Sequence, residues 1–387
     1  MSTKSFDFIL PTKIRFGFGI SKEIGKEINA MGKSNVMIIT DKGLIKAGIV
    51  DRIKDCLKES NLDKITIFDE IEPNPRDTSV QNAYEAAKEC GADVLVAVGG
   101  GSSMDTAKGA GTLLTNGGGT IQDFEGLDKV SNRIMPLIAI PTTVGTGSEV
   151  TFWSVITDTK RHFKMSVGSP LIAPEIALVD PELVETLPPS IIASTGMDAL
   201  THAIEGYTCT LSEPITDACG IYAIEMIAKN IRAAVYTDDK DAKANMLLGS
   251  LMAGICFGNS DIAGVHSMAE ALGGLYDTPH GIANAILLPF VMEYSYVADI
   301  EKYSKIAEAM GENVQFASKR EAAYCSVKAV KDLNADLNIP TLKDVGTKEA
   351  DLQELAERSA INVSAESNPR KAGVEEFLEI FKQAYDA

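Results

Sequence analysis

Asp198 and His202 stand four residues apart in "TGMDALTHAIEGY" (195–207), a stretch that reads as helix. That spacing places a carboxylate and an imidazole one turn apart on the same face. Two further imidazoles, His266 and His280, fall in "AGVHSMAEALGGLYDTPHGIANA" (263–285). The chain has four histidines in all. The remaining one, His162, lies in the charged stretch "DTKRHFKMSV" and reads as a surface residue. Burying several imidazoles costs free energy unless each finds a partner, and one divalent cation satisfies all of them. Nitrogen and oxygen donors without thiolate suit Fe²⁺, Zn²⁺, Mn²⁺ or Co²⁺. A site of this kind that admits a substrate oxygen is a Lewis acid site. Glu270 follows His266 by four residues and shares its helix face. Its role stays open among an alternative ligand, a partner that orients an imidazole, and a proton acceptor.

A second constellation lies earlier in the chain. "DVLVAVGGGSSMDTAKGAG" (93–111) reads as a buried strand that ends in Gly99, Gly100 and Gly101, with Ser102 and Ser103 opening a helix. Glycines let backbone approach a phosphate, and the free amides of a helix start favour an anion. The spacing is neither G-x-G-x-x-G nor a P-loop, and a tight strand-to-helix turn without ligand is the competing reading. Asp41 follows the strand run "VMIIT". There it suits either a helix N-cap or a hydrogen-bond acceptor for a ribose diol, which would repel a 2′-phosphate. "IPTTVGTGSEVT" (140–151) is a hydroxyl- and glycine-rich segment after another strand run, suited to cofactor contacts.

The elements that must position these groups divide in two. Up to about residue 185, strand runs at 36–40, 65–68, 93–98, 136–140 and 175–180 alternate with helix-length segments such as 43–60. That order implies parallel pairing through crossover helices. After "DPELVETLPPS" (180–190) strand runs nearly vanish and helical periodicity takes over, as at 217–235, 242–257 and 374–386. The expectation is an α/β domain with a parallel sheet over 1–187 and an all-helical domain over 188–387. At 387 residues and 45% hydrophobic, the chain is long and apolar enough for two cores. A net charge of −18 opposes nucleic acid and anionic membrane as partners. The start "MSTKSFDFIL" shows no secretory signal, and no apolar run reads as long enough to span a bilayer. Six scattered cysteines with no C-x-x-C pair read as reduced thiols in a cytoplasmic protein.

Taken together, "GGGSSMDTAKG", "PTTVGTGSEVT", "GMDALTHAIEGY" and "TPHGIANAILLP" resemble the iron-dependent (group III) alcohol dehydrogenases. "FILPTKIRFGFG" (8–19), "EPNP" (72–75) and "NPR" (368–370) are also similar to that family, so the resemblance covers essentially the whole chain. It implies a two-domain, dehydroquinate synthase-like architecture with NAD in the α/β domain and a divalent metal, Fe²⁺ before Zn²⁺, in the helical one. By motif, Asp198, His202, His266 and His280 match the metal ligands. Gly100 and Gly101 match the loop under the pyrophosphate, and Ser102 and Asp105 of the same stretch are further cofactor-binding candidates. Asp41 matches the residue near the adenosine ribose and favours NAD over NADP. Asn74, Thr142, Thr143, Thr146, Thr151, Lys164 and Leu183 resemble the remaining cofactor contacts. The implied reaction is reversible hydride transfer between a short-chain primary alcohol or diol and NAD, with a small-molecule alcohol or aldehyde as partner and a homo-oligomeric assembly. Glu270 and His280 are the candidates for proton handling. Many members of the family carry histidine where this chain has Glu270. The alternatives are a same-fold oxidoreductase for a polyol or an anionic aldehyde, and a metal- and NAD-dependent cyclase or lyase.

Overall fold

The computed structural model describes residues 5–161 and 163–387; His162 lies outside them. Nine strands are present among the described residues: β1 (Lys13–Phe16), β2 (Asn35–Ile39), β3 (Lys64–Phe68), β4 (Val94–Gly99), β5 (Gly126–Leu127), β6 (Leu137–Pro141), β7 (Trp153–Asp158), β8 (Phe163–Gly168) and β9 (Ile176–Val179). Five helices accompany them: α1 (Ile24–Ala30), α2 (Lys42–Lys46), α3 (Ile49–Glu59), α4 (Asp77–Cys90) and α5 (Gly101–Thr115). Nine more follow: α6 (Pro189–Thr208), α7 (Pro214–Tyr236), α8 (Lys240–Asn259), α9 (Gly264–Tyr276), α10 (His280–Ser295), α11 (Ile300–Ala309), α12 (Lys319–Asp336), α13 (Leu352–Ala360) and α14 (Val374–Asp386).

The chain separates into two compact units. One holds Ile9–Thr143 and Gly147–Leu187; the other holds Pro188–Ala387 together with Val144–Thr146 and the segment ending at Phe8. In the first unit β1-β9-β6-β4-β2-β3 form a six-stranded sheet whose pairings are all parallel. Both faces are covered, so its central strands are apolar on both sides of the pleat. Val94, Val96 and Val98 of β4 enter one core with Val36, Ile38, Ile138 and Ile140, while Leu95 and Ala97 enter the other with Met37, Ile39, Leu137 and Ala139. The five strand runs expected from the sequence are β2, β3, β4, β6 and β9. The structure adds β1 at the sheet edge and a separate three-stranded sheet, β5-β8-β7. The expected helix at 43–60 is two helices, α2 and α3, separated at Gly48.

The helical unit builds on α6. Pro188 and Pro189 set its start, because a proline at the first helical position lacks only a hydrogen bond that the helix could not have used. Every residue from Gly196 to Thr208 is buried, as expected of a helix apolar around most of its circumference. One expectation needs correction. His280–Ala298 is long and apolar enough, by length and composition alone, to cross a bilayer. It is the helix that carries His280 and Asn284, with over half of it buried inside the unit, and such composition is also that of a core helix.

Candidate metal centre and cofactor cradle

Along α6 the buried polar side chains fall into two groups. Thr201 and Thr208 return their hydroxyls to the carbonyls of Met197 and Ile204, 2.8 Å away in each case, and so need nothing more. Asp198, His202 and Glu205 follow a spacing of four and then three, share one face, and must find partners beyond their own helix. They find them on α9 and α10. Asp198, His202, His266 and His280 each offer one donor atom, and these atoms all lie within 4.8 Å of one another. The His202 and His266 rings stack with centroids 4.5 Å apart, and His280 Nε2 lies 3.6 Å from Asp198 Oδ1. Close approach of α10 to α6 depends on Gly281: a Cβ there would press into the Ser194 carbonyl.

Two residues that the sequence reading did not single out complete this arrangement. The Glu205 carboxylate accepts from the backbone amides of Ala263 (3.0 Å), Val265 (2.6 Å) and, more weakly, His266 (3.4 Å) at the start of α9. It also holds His266 Nδ1 at 2.6 Å. That bond fixes the tautomer and turns His266 Nε2 toward the other donors. Asn284, fully buried one turn after His280, donates its amide to Asp198 Oδ1 at 2.7 Å. The signal for both was available: Glu205 lies on the Asp198–His202 face, and Asn284 lies four residues after His280.

The electrostatics suit a cation. Burial pushes His202 down to about 4 against the pull of Asp198, so its ring is neutral at pH 7 with one nitrogen lone pair available. Burial also acts downward on His266, but the Glu205 bond and charge outweigh it and raise the ring above its usual value. Burial alone would raise Asp198; the surrounding imidazoles and the Asn284 amide hold it below the usual carboxylate range. His202 Nδ1 is buried without a hydrogen-bond partner. One carboxylate and three imidazoles without thiolate, with His266 held by Glu205 and Asp198 by Asn284, fit a divalent cation of borderline softness. Glu270 is half-buried on α9, and its Oε2 accepts from Asn362 Nδ2 at 2.6 Å.

In the α/β unit, β2 passes to β3 on one side while β4 lies on its other side, so the strand order reverses beside β2. Loops at the carboxyl ends of strands around such a reversal form the usual ligand crevice of open α/β sheets. Asp41 follows β2 there, and its carboxylate caps α2 by accepting from Leu44 N at 3.0 Å. Gly100 opens α5 without any side-chain cap, which leaves first-turn amides for an anion. A Cβ on Gly100 would stand 3.2 Å from the Thr143 side chain, and Thr142 N donates to Gly99 O at 3.0 Å. Gly100, Gly101, Ser102, Thr142 and Thr143 are thus gathered at the ends of β4 and β6.

The other expected contacts are placed differently. Asp105 accepts from Ser148 Oγ (2.7 Å) and Val155 N (3.1 Å), tying α5 to β7. Thr151 accepts from Lys108, whose fully buried ammonium also donates to Ser148 and to the Trp153 carbonyl. Lys164 lies on β8, close enough for its charge to act on Asp105. Leu183 is a core residue. Asn74 adopts left-handed backbone (φ 56°) in the turn after β3, and Thr146 falls in the short segment counted with the helical unit.

The family description "Iron-containing alcohol dehydrogenase" matches residues 11–181, and "Fe-containing alcohol dehydrogenase family, C-terminal" matches residues 192–385. The chain is 42% identical over 389 residues to 1,3-propanediol dehydrogenase of Citrobacter freundii, covering all of both chains. It is 38% identical over 380 residues to NAD-dependent methanol dehydrogenase of Bacillus methanolicus, covering 98% of this chain and 99% of that one. A crystal structure of a 1,3-propanediol oxidoreductase superposes with a TM-score of 0.96 at 40% identity, over 98% of this chain and 100% of that one. A donor cluster of one carboxylate and three imidazoles, a parallel sheet with a glycine turn, and matches spanning both units place this chain in the iron-containing alcohol dehydrogenase family of metal-dependent, NAD-linked alcohol and aldehyde oxidoreductases.

Proposed function

We propose that this enzyme interconverts short-chain primary alcohols or diols with their aldehydes, using NAD. The observation that carries the reading is the convergence of Asp198, His202, His266 and His280 within 4.8 Å. The relatives named for 1,3-propanediol and methanol act, by their names, on primary alcohols, which supports this substrate class. Bound at these residues, a divalent cation, Fe²⁺ before Zn²⁺, supplies Lewis-acid polarisation of the substrate oxygen, and NAD supplies the hydride acceptor or donor.

The chain's own residues supply the positions. Glu205 orients His266, and burial keeps His202 unprotonated. The amides at Gly100, Gly101 and Ser102 receive the pyrophosphate. Thr142, Thr143, Asn74, Thr146, Thr151 and Lys164 serve the cofactor, with Asp105 and Leu183 shaping the wall behind it. Asp41 accepts from the ribose diol. Glu270, with one oxygen held by Asn362, takes or returns the alcohol proton through water, and His280 borders the same path. A carboxylate there favours neutral alcohols over the anionic aldehydes considered above, since like charges repel.

The test is NADH absorbance with anaerobically loaded Fe²⁺ or Zn²⁺ on ethanol, butanol, 1,2-propanediol and 1,3-propanediol. Turnover is expected on short primary alcohols and lost in Asp198→Ala; absence of metal-dependent turnover on all four would remove the substrate class. Exposed Phe16 on edge strand β1 and nearby Phe18 support a homo-oligomer, which light scattering reads directly. Six free thiols support a reducing, cytoplasmic setting.

A further inference from the structure

Asn284 has an amide whose two ends are treated unequally. Its Nδ2 lies 2.7 Å from Asp198 Oδ1, 3.1 Å from His266 Nε2 and 3.2 Å from His280 Nε2. Its Oδ1 is buried with no hydrogen-bond partner. Three heteroatoms crowd an NH2 that has two hydrogens, while the acceptor end is left without a donor. An amide placed only for packing would turn to pair its oxygen. Turning here would set that oxygen 2.7 Å from a carboxylate oxygen, so the Asp198 bond decides the orientation and the orphaned carbonyl is its consequence.

We propose that Asn284 is a positioning residue of the cation site, which holds the Asp198 carboxylate in register with the imidazoles. The inference rests on the metal-site reading above. The chemistry separates two conditions of one side chain. Without a cation, the Asn284 amide stands between Asp198, His266 and His280 and donates to the carboxylate. A cation takes the imidazole lone pairs, and Asp198 then remains the one acceptor for the amide. The residue therefore keeps the donors gathered before binding and the carboxylate aimed after it. Asn284 reaches three of the four donors, from α6, α9 and α10, whereas Glu205 orients only His266. Partners that orient metal ligands change metal affinity by about 10- to 100-fold when they are removed.

The test uses the full chain, Asn284→Leu and Asn284→Ala, each stripped of metal and titrated with Co²⁺ against a chromophoric chelator. The visible bands of bound Co²⁺ report ligand geometry, and melting of the metal-free protein reports packing. Leucine keeps nearly the volume of asparagine without its donor, so it remains informative where alanine leaves a cavity. The expected result is Co²⁺ binding weakened by about 10- to 100-fold in Asn284→Leu, faster loss of Co²⁺ to chelator and altered bands, with metal-free melting within a few degrees of the parent. Unchanged affinity and unchanged bands would overturn the proposal. Failure of both variants to fold without metal would also overturn it, by making Asn284 a packing residue. A parent protein that binds no Co²⁺ would instead remove the metal-site reading itself, and the proposal with it.

Discussion

The Glu205 carboxylate ties the first turn of α9 to the imidazole of His266, so its removal acts on the fold and on the site together. Glu205→Ala leaves buried helix-start amides unpaired, at roughly 1–3 kcal/mol for each group. It also frees the His266 ring. The expected outcome is a lower melting temperature with metal affinity reduced about 10- to 100-fold; metal titration at full folding separates the two effects. Glu205→Gln keeps an acceptor for His266 Nδ1 and should lose less affinity than the alanine variant. Asp41 offers a cleaner separation. Its carboxylate caps α2, and serine is an equally good cap without the charge. Asp41→Ser is therefore expected to leave thermal stability within about 1 kcal/mol while raising the NADPH to NADH ratio of kcat/KM by about tenfold or more. An unchanged ratio would leave Asp41 with capping alone.

At the scale of elements, the site depends on how closely helices approach rather than on any one ligand. Helix α10 begins at His280, and its second residue, Gly281, has no room for a Cβ against the Ser194 carbonyl of α6. Gly281→Ala must push α10 away from α6, which separates His280 from Asp198 without altering any donor. Loss of metal retention, measured by metal analysis after gel filtration, together with a drop in melting temperature, is the expected result. Full retention would show that the helices have slack there. Of the elements themselves, the apolar strand runs are legible because a strand buried on both faces must be apolar throughout. The β7–β8 hairpin escapes such a reading: Trp153–Asp158 alternates half-buried and buried residues, and its partner strand opens with exposed Phe163. The break at Gly48 is likewise masked, because α2 and α3 together keep a helical spacing of apolar residues.

Across the whole molecule, stability carries a pH dependence from a buried acid outside the ligand set. Glu149 is fully buried beside Lys108, and burial pushes its carboxyl up to about 7 from an ordinary 4.5. The folded protein then keeps a proton that the unfolded chain releases between about pH 4.5 and 7, so this group makes stability fall as pH rises through that window. The loss amounts to about 3 kcal/mol by pH 8. Glu149→Gln, which cannot ionise, is expected to raise the melting temperature at pH 8 by several degrees and to flatten the slope between pH 5 and 8. An unchanged slope would place the dependence on other groups.

The sequence by itself determined the family, the division into a parallel-sheet half and a helical half, and which rare side chains could bind a cation. Histidines in apolar helices and a triple glycine after a buried strand are local patterns whose chemistry does not wait for the fold. Only the tertiary structure decided who stands behind those residues. Glu205 meets the start of α9 some 60 residues away, Asn284 crosses 86 residues to Asp198, and Asp105 and Thr151 turn to the buried Lys108 network. A buried polar group takes whichever complementary atom packing brings within about 3 Å, and that choice belongs to the approach of distant elements rather than to spacing along the chain.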